Sequence, residues 1–127
     1  YGKNIDKSEV ELYKTASEDI CSTTKEWMRK ERALPIVDVD PELTKFFSKG
    51  RKIFLDYCEL LLQEVQLLSK GLEYDSHEDV PEWLIKSYQS NSDQMLNQSE
   101  KKTIYINDWE NLRLELTQRY RKEFSAE

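Results

Sequence analysis

Apolar side chains recur along the chain with the 3.6-residue period of amphipathic helices, and the pattern divides into four segments. The first segment runs from about residue 7 to 34, where Pro35 disfavours α geometry at the residue before it. We expect one apolar stripe of this helix to face inward. The members of that stripe are Val10, Tyr13, Ala16, Ile20 and Trp27.

The second segment, from about residue 41 to 70, has apolar residues on more than one face. It begins with a strong start signal, Asp40 as a cap followed by a proline in the first turn. A helix that is apolar on several faces has to be surrounded by other elements. The pattern therefore predicts a long central helix, wrapped on nearly all sides, in which Gly50 marks a kink or a close helix crossing and Gly71 marks the end.

The third and fourth segments are predicted over about residues 80 to 98 and 107 to 125. Between them, Ile104-Tyr105-Ile106 could form a short extended piece. A competing layout has three long helices, with these two segments partly continuous. The sequence predicts an all-α protein, an up-and-down bundle of three to four helices around the long central helix.

Composition agrees with one helical domain over residues 1–127. The chain has 15.2 kDa, only three Gly and three Pro, and a net charge of −6. For this mass, area scaling gives roughly 7,000 Å² of accessible surface when folded, so a core can be buried without metals or disulfides. Because the sequence does not begin with Met, we expect that it is a piece of a larger protein.

The residues that carry chemistry are few. Cys21 and Cys58 are far apart in sequence and the only histidine, His77, lies in an acidic loop, so the sequence predicts no metal site, no cofactor and no catalytic residues. We expect Cys58 to be a buried thiol. The cysteine usage favours an intracellular location, cytoplasmic or nuclear. No apolar run approaches the length of a membrane span.

The leading functional hypothesis is a non-enzymatic module or complex subunit that binds another protein. Aromatic residues make up 11% of the chain, and most of them are expected in the core. Side chains off the main stripes could instead form a groove between helices that holds a partner helix or peptide. The candidate partner-binding residues are Met28, Phe47, Trp83 and Tyr105. The oligomeric state stays open.

The alternative hypothesis is a regulatory domain that associates with nucleic acid through basic helix faces. The candidate contacts are Lys45, Lys49, Lys52, Arg119 and Lys122. The acidic balance of the whole chain favours a simpler interpretation, in which these side chains form solvated helix surfaces. A patch able to hold phosphates would require the two basic groups to converge in space.

Overall fold

Three α-helices make up most of the protein, in a computed structural model that describes residues 7–36, 38 and 40–125. They are α1 (Lys7–Ala33), α2 (Pro41–Gly71) and α3 (Glu82–Ser125), with a short 3-10 helix, His77–Asp79, between the last two. These described residues contain no strand. The all-α prediction is confirmed.

Helix α3 is one continuous helix of 44 residues, so the competing layout of three long helices is the one found, and the interruption expected between residues 98 and 107 is absent. No glycine or proline lies within α3, and the three β-branched residues of this stretch, Thr103, Ile104 and Ile106, lower helix propensity only slightly. Contacts with α2 continue through the segment. Gln98 Nε2 donates to the carbonyl of Ile53 at 3.2 Å, and the ring of Tyr105 stacks on that of Phe46 at 4.2 Å between centroids.

Two buried amides fix the alignment of α2 with α3. Asn91 Nδ2 donates to the carbonyl of Leu60 at 2.9 Å, and Gln98 makes the equivalent bond to Ile53. Donors and acceptors are each seven residues apart, on helices that run in opposite directions. Polar residues at such heptad core positions select one register over others.

Asp40 begins α2 as predicted and also holds the far end of α3. Its Oδ1 accepts from the backbone N–H of Glu42 at 2.8 Å and of Leu43 at 3.4 Å, and its Oδ2 accepts from the Tyr120 hydroxyl at 3.1 Å. Burial by itself would raise the pKa of the Asp40 carboxyl. These hydrogen bonds and the charge of Arg119 outweigh it, so the pKa lies below its ordinary value.

Helix α1 is rotated relative to the prediction. The side chains that are least exposed along its length are Val10, Ser17, Cys21, Thr24, Met28 and Glu31. Except for half-buried Val10, the stripe predicted to face inward is exposed, Trp27 by 51%. Near the end of α1, the guanidinium of Arg51 of α2 donates to the Leu34 carbonyl and pairs with Glu31 at 3.4 Å. This polar contact joins the end of α1 to α2 in the observed orientation.

The apolar core is small. Its buried members are Met28, Cys58, Val65, Leu67, Leu84 and Leu116. Helix α2 contacts both α1 and α3, yet Phe47, Phe54, Tyr57 and Leu68 on it are exposed. The expectation of a helix wrapped on nearly all sides is wrong for that face. The chain exposes 9,777 Å², well above the ~7,000 Å² expected of a compact monomer of this mass.

Candidate protein-interaction surface

A cleft of about 360 Å³ opens where the end of α1 meets α2 and α3. Leu34 and the two residues after it form one wall, and Tyr105 of α3 forms the other. Phe47, Gly50 and Arg51 of α2 lie between them. The cleft therefore combines apolar walls with the charged pair of Arg51 and Glu31 at its edge.

Gly50 allows the close approach of α3 at this cleft. A Cβ atom at this position would overlap the hydroxyl of Tyr105. The ring of Tyr105 also stacks on Phe46, and burial raises the pKa of its hydroxyl. The sequence predicts a kink or a close helix crossing at Gly50, and the structure places the side chain of Tyr105 against it.

An aromatic cluster positions Phe47 at the rim of the cleft. The ring of Trp109 lies 5.6 Å from that of Phe46 and 6.0 Å from that of Phe47, between centroids. Phe46 also packs edge-on against Phe47 at 6.2 Å. Phe47 remains 36% exposed, so it is a supported aromatic side chain with one side open to solvent.

Two apolar stripes run away from the cleft. Leu34 of α1 and Phe47 of α2 both line it. Seven residues span nearly two helical turns, so residues at heptad spacing stay on the same face. On α1 these are Leu34, Trp27, Ile20 and Tyr13, and on α2 they are Phe47, Phe54, Leu61 and Leu68. We call these eight side chains the apolar face.

The apolar face is exposed along its whole length. Leu61 is half-buried, and the other seven side chains are between 36% and 57% exposed. Large apolar side chains have about 150–250 Å² each, so the exposed part of the face amounts to about 650 Å². It is about 30 Å long over three heptads. Both columns start at the cleft, where Tyr105 of α3 also contributes a lining residue.

The structure brings together two of the four predicted partner-binding residues. Phe47 and Tyr105 line the same cleft. Trp83 is exposed at the start of α3 and does not line it. Met28 is only 5% exposed, so its prediction as an open contact is wrong. The rotation of α1 that exposes Trp27 is also what buries Met28.

Sequence reasoning missed the α1 half of the apolar face. Tyr13, Ile20 and Trp27 were expected in the core because they form the most apolar stripe of their helix. Their period identifies a helix face correctly, but it does not say whether that face meets this chain or another one. The contact of Arg51 with α1 was also missed, since a side chain that bonds a helix end 17 residues earlier leaves no periodic signal.

The two basic groups do converge, because the start of α2 lies beside the end of α3. Acidic side chains lie between them. Arg119 pairs with Glu42 at 3.3 Å, and Lys49 lies 3.9 Å from Asp108. Charge is therefore partly neutralised where the groups meet.

The remaining basic candidates lie on exposed helix surface. Lys52 pairs with Asp56 at 2.9 Å, and this hydrogen bond raises the pKa of the lysine. Lys45 and Lys122 are exposed. Three of the five candidates are thus engaged by carboxylates.

The described residues offer little for chemistry at a site. Within them, no three His, Cys, Asp or Glu side chains come close enough to hold a metal ion. None of the described helices contains an apolar stretch of the length that a membrane span needs. Cys58 is 2% exposed, as expected, and burial followed by the charge of Glu31 raises the pKa of its thiol. His77 lies in the exposed 3-10 helix.

Neither the family models, nor the curated proteins, nor the solved structures compared with this chain match it. The chemistry of the surface is therefore the basis for a functional assignment.

Proposed function

We propose that this chain is a non-enzymatic interaction module or complex subunit, an open helical bundle around α2 that binds another protein along the apolar face. The observation that carries the proposal is the face itself. Its ~650 Å² exceeds the largest apolar patch of a typical monomer, about 300–600 Å². Surfaces of that kind mark interaction sites.

The shape of the face favours a helical occupant. Apolar side chains at heptad spacing on two neighbouring helices form a shallow furrow about 30 Å long. An amphipathic helix presents its own apolar residues at matching intervals. The cleft at one end, with Phe47 and Tyr105, accepts a bulky anchor residue, and Arg51 with Glu31 forms a polar rim.

A charge placed on the face should abolish binding. Trp27→Lys puts a cation in the middle of the α1 column, where the side chain is half-exposed, so the fold tolerates it. Ile104→Lys is the control because Ile104 is an exposed apolar residue of α3 outside the face. Both variants should retain the helical circular-dichroism spectrum of the unmodified chain.

The assay is affinity capture from nuclease-treated lysate, followed by direct binding of each captured protein to the purified chain. We expect Trp27→Lys to lose the partner and Ile104→Lys to retain it. Equal recovery by all three proteins would refute a role for the apolar face.

The alternative, a nucleic-acid-associated domain, draws support from the excess of cations at the cleft end of α1 and α2. Residues 21–33 have four cations and two acids, and residues 41–55 have four cations and one acid. Binding to labelled oligonucleotides that weakens steeply with salt, and that Lys45→Glu removes, would favour this function instead.

A further inference from the structure

We propose that the occupant of the apolar face is a second copy of this chain, bound antiparallel about a two-fold axis. The inference rests on the proposed function, since it names the partner of the same surface. It is carried by the charge distribution along α1 and α2, by the arrangement of the eight side chains, and by the surface that the single chain leaves exposed.

Both helices that form the face are polarised in the same direction. At the cleft end, residues 21–33 of α1 and 41–55 of α2 together have eight cations and three acids. At the other end, residues 7–20 and 56–71 have three cations and seven acids. The helix pair that carries the face therefore has a net charge of +5 at the cleft end and −4 at the other end.

A two-fold axis across the middle of the face pairs these ends. The basic end of each copy then lies over the acidic end of the other, so complementary charges flank the apolar contact twice. A parallel arrangement would place like charges together. The polarity therefore selects the antiparallel orientation.

The apolar side chains suit the same arrangement. Ile20 and Trp27 lie on either side of the centre of the α1 column, with Thr23 between them. In the antiparallel dimer Ile20 of one copy lies opposite Trp27 of the other, and Tyr13 opposite Leu34. Both pairs are apolar, and each occurs twice because the interface is isologous.

The exposed area is enough for a stable dimer. Two copies bring together about 1,300 Å² of apolar surface, and the charged ends add to it, so the interface falls in the range of about 1,200–2,000 Å² for stable complexes. The single chain exposes roughly 2,700 Å² more surface than a compact monomer of 15.2 kDa. The area that each copy would bury in the dimer is smaller than this excess.

The first experiment is sedimentation equilibrium of the full chain from micromolar to sub-millimolar concentration. We expect a reversible dimer of twice 15.2 kDa, weakened by salt. Ile20→Glu buries two carboxylates per dimer and should raise the dissociation constant by about 100-fold or more. Ile104→Glu, the same change outside the face, should leave it unchanged.

Cross-linking tests the orientation. Thr23 is exposed and lies near the proposed axis, so Thr23→Cys in a Cys21→Ser background should form dimers with a short bis-maleimide. Lys86→Cys in the same background is the control, since Lys86 is exposed near the start of α3. It should remain monomeric on denaturing gels.

A chain that sediments at 15.2 kDa at every concentration would overturn the dimer. The proposed function would survive that result if Trp27→Lys still lost a captured protein that Ile104→Lys retained. A dimer unaffected by Ile20→Glu, or cross-linked equally through Thr23→Cys and Lys86→Cys, would also overturn it. So would a mass increase that appears only when an oligonucleotide is added.

Discussion

Asn91→Leu should stabilise the protein, although it removes a hydrogen bond. The side chain of Asn91 is 1% exposed. Its amide nitrogen donates to the Leu60 carbonyl at 2.9 Å, whereas its Oδ1 is buried without a partner in the structure. Both polar atoms of the amide therefore lose their hydration on folding, but only the nitrogen gains a hydrogen bond in exchange.

The expected gain is about 1–3 kcal/mol. The lost hydrogen bond is worth about 0.5–1.5 kcal/mol, and the Leu60 carbonyl keeps its bond within α2. Removing the unsatisfied oxygen returns about 1–3 kcal/mol, and the buried leucine adds about 1.5–3 kcal/mol before packing strain. The apolar terms outweigh the lost bond.

Urea unfolding at fixed protein concentration measures the change as a higher midpoint with an unaltered slope. Asn111→Leu is the control because Asn111 is exposed on the same helix, and it should stay within about 0.5 kcal/mol of the unmodified chain. A lower midpoint for Asn91→Leu would refute the reasoning and show that the contacts of the amide nitrogen, with the Leu60 carbonyl and with Met95 Sδ at 3.7 Å, outweigh the apolar gain.

Three further predictions concern single side chains. Gly50→Ala should destabilise by about 1–2 kcal/mol because its Cβ displaces Tyr105, and in a Tyr105→Ala background it should instead stabilise by up to about 1 kcal/mol, measured by urea unfolding. The pKa of Asp40 is lowered in the folded chain, so its carboxylate contributes stability that is complete above the unfolded value near 3.8 and is lost as the pH falls through the folded value. The melting temperatures of the unmodified chain and Asp40→Asn should therefore converge as the pH falls below the folded pKa of Asp40. A difference between them that stays the same at every pH would contradict this. Cys58 should react with a thiol reagent only on unfolding, after Cys21, and equal rates in the native chain would show that Cys58 is accessible.

The helices themselves followed from the sequence because caps and periods are local signals. Asp40 before a proline marked the start of α2, and Gly71 marked its end. The continuity of α3 did not follow, since it depends on contacts with α2 such as that of Tyr105 with Phe46. Local propensity around Ile104 is weak enough for tertiary packing to decide.

The candidate surface was only half predictable. Phe47 and Tyr105 were identified as off-stripe aromatics, which is a weak signal that the cleft supports. Trp27 was assigned to the core because burial in this chain and burial against a partner produce the same apolar period. The contact between Arg51 and the end of α1 is likewise one that a sequence pattern does not show.

The most direct test of the central claim is the environment of Trp27 as a function of concentration. In a Trp83→Phe, Trp109→Phe variant, Trp27 is the only tryptophan, and it is half-exposed in the single chain. If the apolar face is covered in solution by a second copy, its emission shifts to shorter wavelength and acrylamide quenching falls as concentration rises. An emission maximum and a quenching constant that stay those of an exposed tryptophan at every concentration would contradict a self-covered face.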